Sequence, residues 1–130
     1  MKKTILILVS IAVFHNCEAQ SLSSQISTYN AEIIGSWVSD DDSTYKIEFT
    51  GSGFQKEYIN NQVQQEVYHF ELTTDCSGSA SRGNDIYLER YTDSSDITCD
   101  IFNGIYTDSN GVKIMSIRTE RGKLETYTKQ

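Results

Sequence analysis

The chain has 130 residues, with 11 basic and 18 acidic side chains and a formal net charge of −7 at neutral pH. This length fits one domain. The negative charge argues against nucleic acid and anionic membrane surfaces as partners, because both require positive patches on the protein.

The first nineteen residues have the features of an export signal. Lys2 and Lys3 precede an apolar run over residues 5–14, and Ala19 closes a small-residue cleavage site. An apolar run of about ten residues is too short to cross a bilayer as a helix. We therefore predict a signal peptide over residues 1–19 and a domain that functions outside the cytoplasm, either secreted or periplasmic.

Two processing routes are open for this segment. Cleavage after Ala19 would release a soluble protein, whereas acylation of Cys17 would produce a lipoprotein anchored to the membrane. Residues 14–16 are bulky or polar where a lipobox has leucine and small residues, which favours soluble release. A lipid at Cys17 is the only membrane attachment that the sequence suggests.

Cleavage would leave two cysteines, Cys76 and Cys99. An even pair in an oxidising compartment predicts a disulfide. A bond that closes a loop of this length would stabilise the fold by about 3 kcal/mol in the chain-entropy account.

Residues 20–32 are polar and rich in serine, with Leu22, Ile26 and Tyr29 at the spacing of a weak helical stripe. The composition predicts a tether or N-terminal arm, and the stripe suggests a short helix as the alternative. The tether is the favoured interpretation.

From residue 33 to residue 130, short runs with alternating apolar residues are separated by turns. The predicted strands cover residues 35–38, 44–49, 54–59, 63–72, 86–90, 97–101, 112–118 and 123–129. Eight consecutive strands without a proline predict an all-β domain, an antiparallel up-and-down meander. Closure of the meander into a barrel would remove its exposed edges.

The first of these strands contains Gly35-Ser36-Trp37, and the last ends on Tyr127-Thr128-Lys129. This pair of features resembles the calycin group, which comprises lipocalins, fatty-acid-binding proteins and bacterial secreted lipocalin-like domains. In those families an indole closes one end of a small barrel and a cationic side chain from the last strand lies over it. The resemblance covers residues 33–130 and assigns these roles to Trp37 and Lys129, with Gly35 allowing close approach.

Six residues are candidates for the barrel interior because they share the parity of the apolar positions in their strands: Tyr45, Phe54, Lys56, Tyr58, Tyr68 and Phe70. They could form a packed core or line a ligand pocket, and the sequence does not separate the two. Lys56 is the one charged residue of this set. An inward Lys56 could pair with a ligand carboxylate, and otherwise it reaches water.

Catalytic chemistry has little support in the sequence. His69 is the one histidine that cleavage would leave, and a single histidine without a nucleophile or second ligand forms neither a triad nor a zinc site. Glu89 and Asp100 could approach each other across strands, but solvated surface is the favoured interpretation. We predict no catalytic residue, metal or cofactor.

Two functions follow. The first is a monomeric, exported, lipocalin-like module that binds a small apolar or amphipathic ligand. The second is a protein-interaction domain that resembles bacterial inhibitors of metalloproteases, in which residues 20–32 would enter the protease cleft.

Overall fold

The computed structural model describes residues 21–77, 79–80, 83–92 and 96–130. The predictions of a signal peptide over residues 1–19 and of a lipid on Cys17 lie outside these residues. In the described part of the chain, no helix is long and apolar enough to cross a membrane.

Within the residues that the structure describes, one helix and ten strands follow each other. The helix is α1 (Leu22–Glu32). The strands are β1 (Gly35–Ser39), β2 (Tyr45–Phe49), β3 (Phe54–Ile59), β4 (Gln62–Thr73), β5 (Asp75–Cys76), β6 (Ser79–Ala80), β7 (Tyr87–Tyr91), β8 (Ile97–Thr107), β9 (Lys113–Arg118) and β10 (Leu124–Lys129).

Eight of these strands form a closed antiparallel barrel in the order β1-β10-β9-β8-β7-β4-β3-β2. Strands that are consecutive around the barrel pair with each other, and β1 pairs with β10 to close it. Strands β5 and β6 form a separate small hairpin. The prediction of an all-β, eight-stranded up-and-down barrel is therefore confirmed, and closure leaves the eight strands without a free edge.

Helix α1 shows that most of the segment predicted as a tether is instead part of the fold. Ser21 caps it by accepting a hydrogen bond from the Ser24 amide. Leu22, Ile26 and Tyr29 pack against the core, and the Tyr29 ring meets the Phe102 ring edge-on at 5.2 Å between centroids. The segment forms a helix because its apolar stripe can be buried against the barrel. Such burial stabilises a short helix that intrinsic propensity alone would leave unfolded.

The barrel accommodates this helix at a bulge in β8. The β8–β9 register shifts between Phe102 and Gly104, and Gly104 has φ +130°. A Cβ atom on Gly104 would lie 2.8 Å from the Tyr29 hydroxyl oxygen. The glycine therefore supplies both the backbone conformation and the space that Tyr29 occupies.

Trp37 closes the end of the barrel that helix α1 covers. Its indole is fully buried, and its N–H donates to the Ile33 carbonyl at 2.7 Å. The Lys129 ammonium lies 5.1 Å from the centre of the Trp37 ring and donates to the Glu32 carbonyl at 2.7 Å. This is the position expected for the lysine of the last strand.

Gly35 allows that lysine to cross β1. It has φ +123°, and a Cβ atom there would lie 3.2 Å from Cε of Lys129. Burial of Lys129, together with the nearby charge of Lys113, lowers the pKa of the Lys129 ammonium. Lys113 is itself paired with the Glu32 carboxylate at 2.7 Å.

Most of the apolar core lies near this closed end. Its buried members are Ile33, Trp37, Ile47, Phe49, Leu72, Ile86, Leu88, Phe102, Met115, Ile117 and Tyr127.

Cys76 and Cys99 form the predicted disulfide, with their Cα atoms 5.9 Å apart. The bond connects β5 to the outer face of β8, although Cys99 alternates with the apolar residues Ile97 and Ile101 in the sequence. Cys99 is opposite Glu89 in the β7–β8 ladder. The neighbouring pair, Leu88 and Asp100, is buried and faces inward, so Cys99 and Glu89 face outward. The outward face of β8 therefore carries the cysteine.

Candidate binding pocket at the open end of the barrel

The residues of β3 that were predicted to face the barrel interior face outward instead. Gln55 is opposite Phe49 in the β2–β3 ladder, and both residues are fully buried. Because directly opposed residues of an antiparallel pair share a face, Gln55 points into the barrel. Phe54, Lys56 and Tyr58 therefore lie on the outer face, and their prediction as interior residues is wrong.

The outer face gives these three side chains other partners. The Tyr58 hydroxyl donates to Glu48 at 2.7 Å, and the Lys46 ammonium lies 4.4 Å above the Tyr58 ring. Phe54 lies against the ring of His69, with 4.7 Å between the ring centres. Lys56 is opposite Glu48 in the β2–β3 ladder. Its charge therefore cannot meet a ligand inside the barrel.

The other three predicted interior residues do face inward. Tyr45 shares its face with Ile47 and Phe49 on β2. Tyr68 is opposite the inward Gln55, and the Phe70 ring meets the Phe49 ring edge-on at 4.8 Å. Of the six candidates, Tyr45 alone lines the pocket at the open end of the barrel.

That pocket opens at the end of the barrel opposite helix α1 and has a volume of about 450 Å³. We call it the mouth pocket. Its lining comes from the ends of strands and from the turns that join β1 to β2 and β9 to β10: Ser39, Asp41, Asp42, Tyr45, Arg90, Thr98, Asp100, Thr119, Glu120, Arg121, Lys123, Glu125 and Tyr127.

An ion pair between Arg90 and Asp100 spans β7 and β8 at the base of the mouth pocket. Asp100 is only 2 % exposed, and its second oxygen accepts a hydrogen bond from the Glu120 amide at 3.1 Å. The Glu120 side chain in turn accepts from the Cys99 amide at 2.7 Å. Asp100 is therefore a buried, fully engaged carboxylate, and its interpretation as solvated surface is wrong. Glu89 points the other way, towards the Ser77 amide.

Two tyrosines of the pocket each donate their phenol proton to a glutamate. Tyr45 donates to Glu57 at 2.9 Å, and Tyr127 donates to Glu125 at 2.9 Å. Their ring centres are 6.5 Å apart. Burial, reinforced by the neighbouring carboxylates, raises the pKa of both phenols far above the ordinary value. Both hydroxyls therefore stay protonated at neutral pH.

Lys123 lies at the rim of the mouth pocket between two carboxylates. Its ammonium is 3.2 Å from Asp41 and 3.3 Å from Glu125. These contacts, with the Asp41 hydrogen bond the largest, raise the pKa of the Lys123 ammonium. The lysine and Asp41 are well exposed, so the pair contributes little to stability and is easily opened.

Gln55 lies inside the barrel, one inward position below Glu57 on the same strand. Neither the oxygen nor the nitrogen of its buried amide has a hydrogen-bond partner among the described residues. Arg90 Nε is also buried without a partner there. An unpaired buried amide group costs about 1–3 kcal/mol, so a glutamine at this position has to be explained by something other than stability.

The sequence prediction missed most of this site. The predicted interior residues did not include the following side chains, which face inward: Arg90, Asp100, Glu57, Glu125 and Tyr127. The available signal was parity, because Arg90 follows Leu88 by two positions and Asp100 precedes Phe102 by two. A charged residue on the parity of buried apolar neighbours indicates a polar interior.

The described residues contain one group of His, Cys, Asp or Glu side chains close enough to hold a metal ion, namely Cys76, Glu89 and Cys99. It lies on the outer face, and its two sulfur atoms are bonded to each other. A disulfide offers no thiolate, so this group is poorly suited to a metal.

Comparison of the chain with protein-family models, with curated proteins and with solved structures finds no match. The geometry of the mouth pocket is therefore the guide to function.

Proposed function

We propose that this protein is an exported, lipocalin-like binding protein that holds one small amphipathic molecule in the mouth pocket and does not transform it. The observation that carries the proposal is a barrel closed at one end by Trp37 and helix α1, with a cavity of about 450 Å³ at the other end. Cavities of about 300–1,000 Å³ are typical of small-molecule sites.

The lining supports an amphipathic rather than a purely apolar ligand. The rings of Tyr45 and Tyr127 offer apolar surface, whereas Arg90, Asp100 and Glu125 place charges beside them. A purely apolar molecule would bury these charged groups without replacing their contacts with water, which is costly. A ligand with one polar end and one apolar end would satisfy both parts of the lining.

Two further observations support the remaining parts of the proposal. His69 lies on the outer face, with its ring stacked on that of Tyr91 at 5.0 Å, and it is not among the lining residues. The Cys76–Cys99 disulfide is typical of proteins that function in an oxidising compartment. Together they favour binding without catalysis, outside the cytoplasm.

The competing prediction of a protease inhibitor required residues 20–32 to be a free arm. Residues Leu22–Glu32 are instead helical, and Glu32 is paired with Lys113 while Tyr29 packs on Phe102. Entry into a cleft would require the loss of these contacts. No observation on the barrel favours the inhibitor over the binding protein.

Native mass spectrometry of the purified protein, followed by a small-molecule screen, tests the proposal. We expect a bound small molecule whose affinity falls strongly in Thr98→Phe, which places a ring in the mouth pocket. Thr107→Phe is the matched control, because Thr107 lies on the same strand but is exposed at the opposite end. Failure to find any ligand, or equal binding to both variants, would overturn the proposal.

A further inference from the structure

We propose that the mouth pocket selects organic cations, specifically small molecules that carry a primary ammonium group beside an aromatic or aliphatic body. This inference rests on the proposed function and names the ligand class of the same pocket.

The direction of the hydrogen bonds is the first argument. The phenol protons of Tyr45 and Tyr127 are both committed to glutamates, at 2.9 Å in each case. Their oxygen atoms therefore have only lone pairs to offer a ligand. An ammonium group has three donors and no acceptor, so it matches this part of the lining, and a carboxylate does not.

The balance of charge is the second argument. The lining contains five carboxylates, from Asp41, Asp42, Asp100, Glu120 and Glu125, against three cations. Two of these cations, Arg90 and Lys123, are already paired with lining carboxylates. The unpaired nitrogen of Arg90, Nε, has no solvent access, so a ligand anion in the pocket cannot reach it. The third cation, Arg121, is exposed, and the lining still has two more carboxylates than cations, so the pocket attracts positive charge overall.

The chain itself shows that an alkylammonium fits. The Lys123 side chain places its primary ammonium between Asp41 and Glu125, at 3.2 and 3.3 Å. Because this lysine is mostly exposed, a ligand ammonium of the same chemistry can replace it at low cost. Lys123 therefore acts as a competitor that the ligand displaces.

Two observations favour an organic cation over a metal ion. No three carboxylates of the mouth pocket converge closely enough to ligate a metal, since the one such group in the described residues lies on the outer face. The aromatic side chains of Tyr45 and Tyr127 line the same pocket as the carboxylates, with their ring centres 6.5 Å apart. Aromatic faces attract organic ammonium groups and provide apolar contact for the body that carries them.

The test uses three probes of similar shape and different charge: phenethylammonium, phenethyl alcohol and phenylacetate. Isothermal titration calorimetry with the unmodified folded protein should show that phenethylammonium binds at least about tenfold more tightly than phenethyl alcohol. Phenylacetate should bind most weakly, and rising salt should weaken the ammonium alone. Because the unmodified protein is used, the result does not depend on a variant that folds.

Tighter or equal binding of the alcohol or the anion would overturn the inference and leave the proposed function in place. Absence of binding by all three probes would also overturn it. The proposed function is then decided separately, by the ligand that native mass spectrometry finds and by its loss in Thr98→Phe.

A pair of lysine variants tests the competitor role. Lys123→Gln should tighten phenethylammonium binding about threefold, because the resident ammonium is gone. Lys56→Gln removes the same charge from the outer face and should leave the affinity unchanged. Equal effects in the two variants would show that overall charge, and not the mouth pocket, controls binding.

Discussion

The hydroxyl oxygen of Tyr29 lies 2.8 Å from the point where a Cβ atom of Gly104 would be. Helix α1 and the barrel therefore fit together only because residue 104 has no side chain. The contact joins two segments that are far apart in the sequence, and it makes the helix an integral part of the domain.

Gly104→Ala should lower the free energy of unfolding by about 3 kcal/mol, through backbone strain and overpacking together. Gly111→Ala is the control, since Gly111 also has a positive φ, +80°, but has nothing within 4 Å of the added methyl group. It should cost about 1 kcal/mol through strain alone. Urea denaturation measures both values, and equal losses would contradict the role of Tyr29.

Lys129→Met should lower stability by about 1–2 kcal/mol, because it removes the cation over Trp37 and the donor to the Glu32 carbonyl. Lys46→Met is a matched control, since Lys46 also lies over an aromatic ring, that of Tyr58. That site is on the outer face, and its loss should cost less than about 1 kcal/mol. If urea denaturation showed equal losses in the two variants, the contact of Lys129 with Trp37 and Glu32 would contribute no more than an exposed cation–π pair.

Gln55→Leu should raise the free energy of unfolding by about 1 kcal/mol, because it removes two buried polar atoms without partners and keeps the side chain similar in size. Gln65→Leu, at an exposed position of β4, should change stability by less than about 0.5 kcal/mol. Chemical denaturation compares the two. A loss of stability in Gln55→Leu would show that the amide is hydrogen-bonded in solution.

Stability should decrease at alkaline pH because folded Tyr45 and Tyr127 hold their protons more strongly than the unfolded chain does. Tyr68 behaves similarly, since burial and its bond to Glu66 raise its pKa to about 12. A pKa that is higher in the folded than in the unfolded protein stabilises the fold fully at pH values below the unfolded pKa of about 10. This contribution is lost progressively as the pH rises above that value.

Urea denaturation at successive pH values from about 8 to about 12 measures this loss. Absorbance of tyrosinate, recorded in parallel, should show these residues ionising late. The variant Tyr45→Phe should lose less stability over the same range. Stability that stays constant above pH 10, or an absorbance titration in which all tyrosines ionise together, would contradict the geometry.

Replacement of Cys76 and Cys99 by serine should lower stability by about 3 kcal/mol, as expected for a bond that spans 23 residues. Because the bond lies on the outer face, ligand affinity measured under folding conditions should not change. Denaturation with and without reductant checks the stability, and titration checks the affinity. A loss of binding in a folded double variant would mean that the bond also shapes the mouth pocket.

The strand content of this fold could be predicted because turn residues separate the apolar runs at regular intervals. The location of Trp37 and Lys129 was predicted from the resemblance to the calycin group, in which the first and last strands carry an indole and a cation. Helix α1 was harder to predict, because serines surround its apolar stripe. The space for Tyr29 is also created by Gly104, a residue distant in sequence.

Most of the residues of the site could not be predicted from the sequence, and the reason is different. Alternation predicts a face only if the interior is apolar and the exterior polar. Here the inward side of β3 is polar, so Gln55 and Glu57 point inward while Phe54 and Tyr58 lie outside. The rule inverts on β3 for that reason, and on β8 the buried pair of Asp100 with Arg90 has the same effect.

The closure by Trp37 and helix α1 also determines how a ligand can be exchanged. A molecule in the mouth pocket must leave through the opening by which it entered, so the described barrel offers no route for passage from end to end. The contact of Lys123 with Asp41 joins two neighbouring turns at the rim of that opening, so under the proposed function a ligand would pass beside it. Under the proposed function, capture and release would therefore both take place at this one rim.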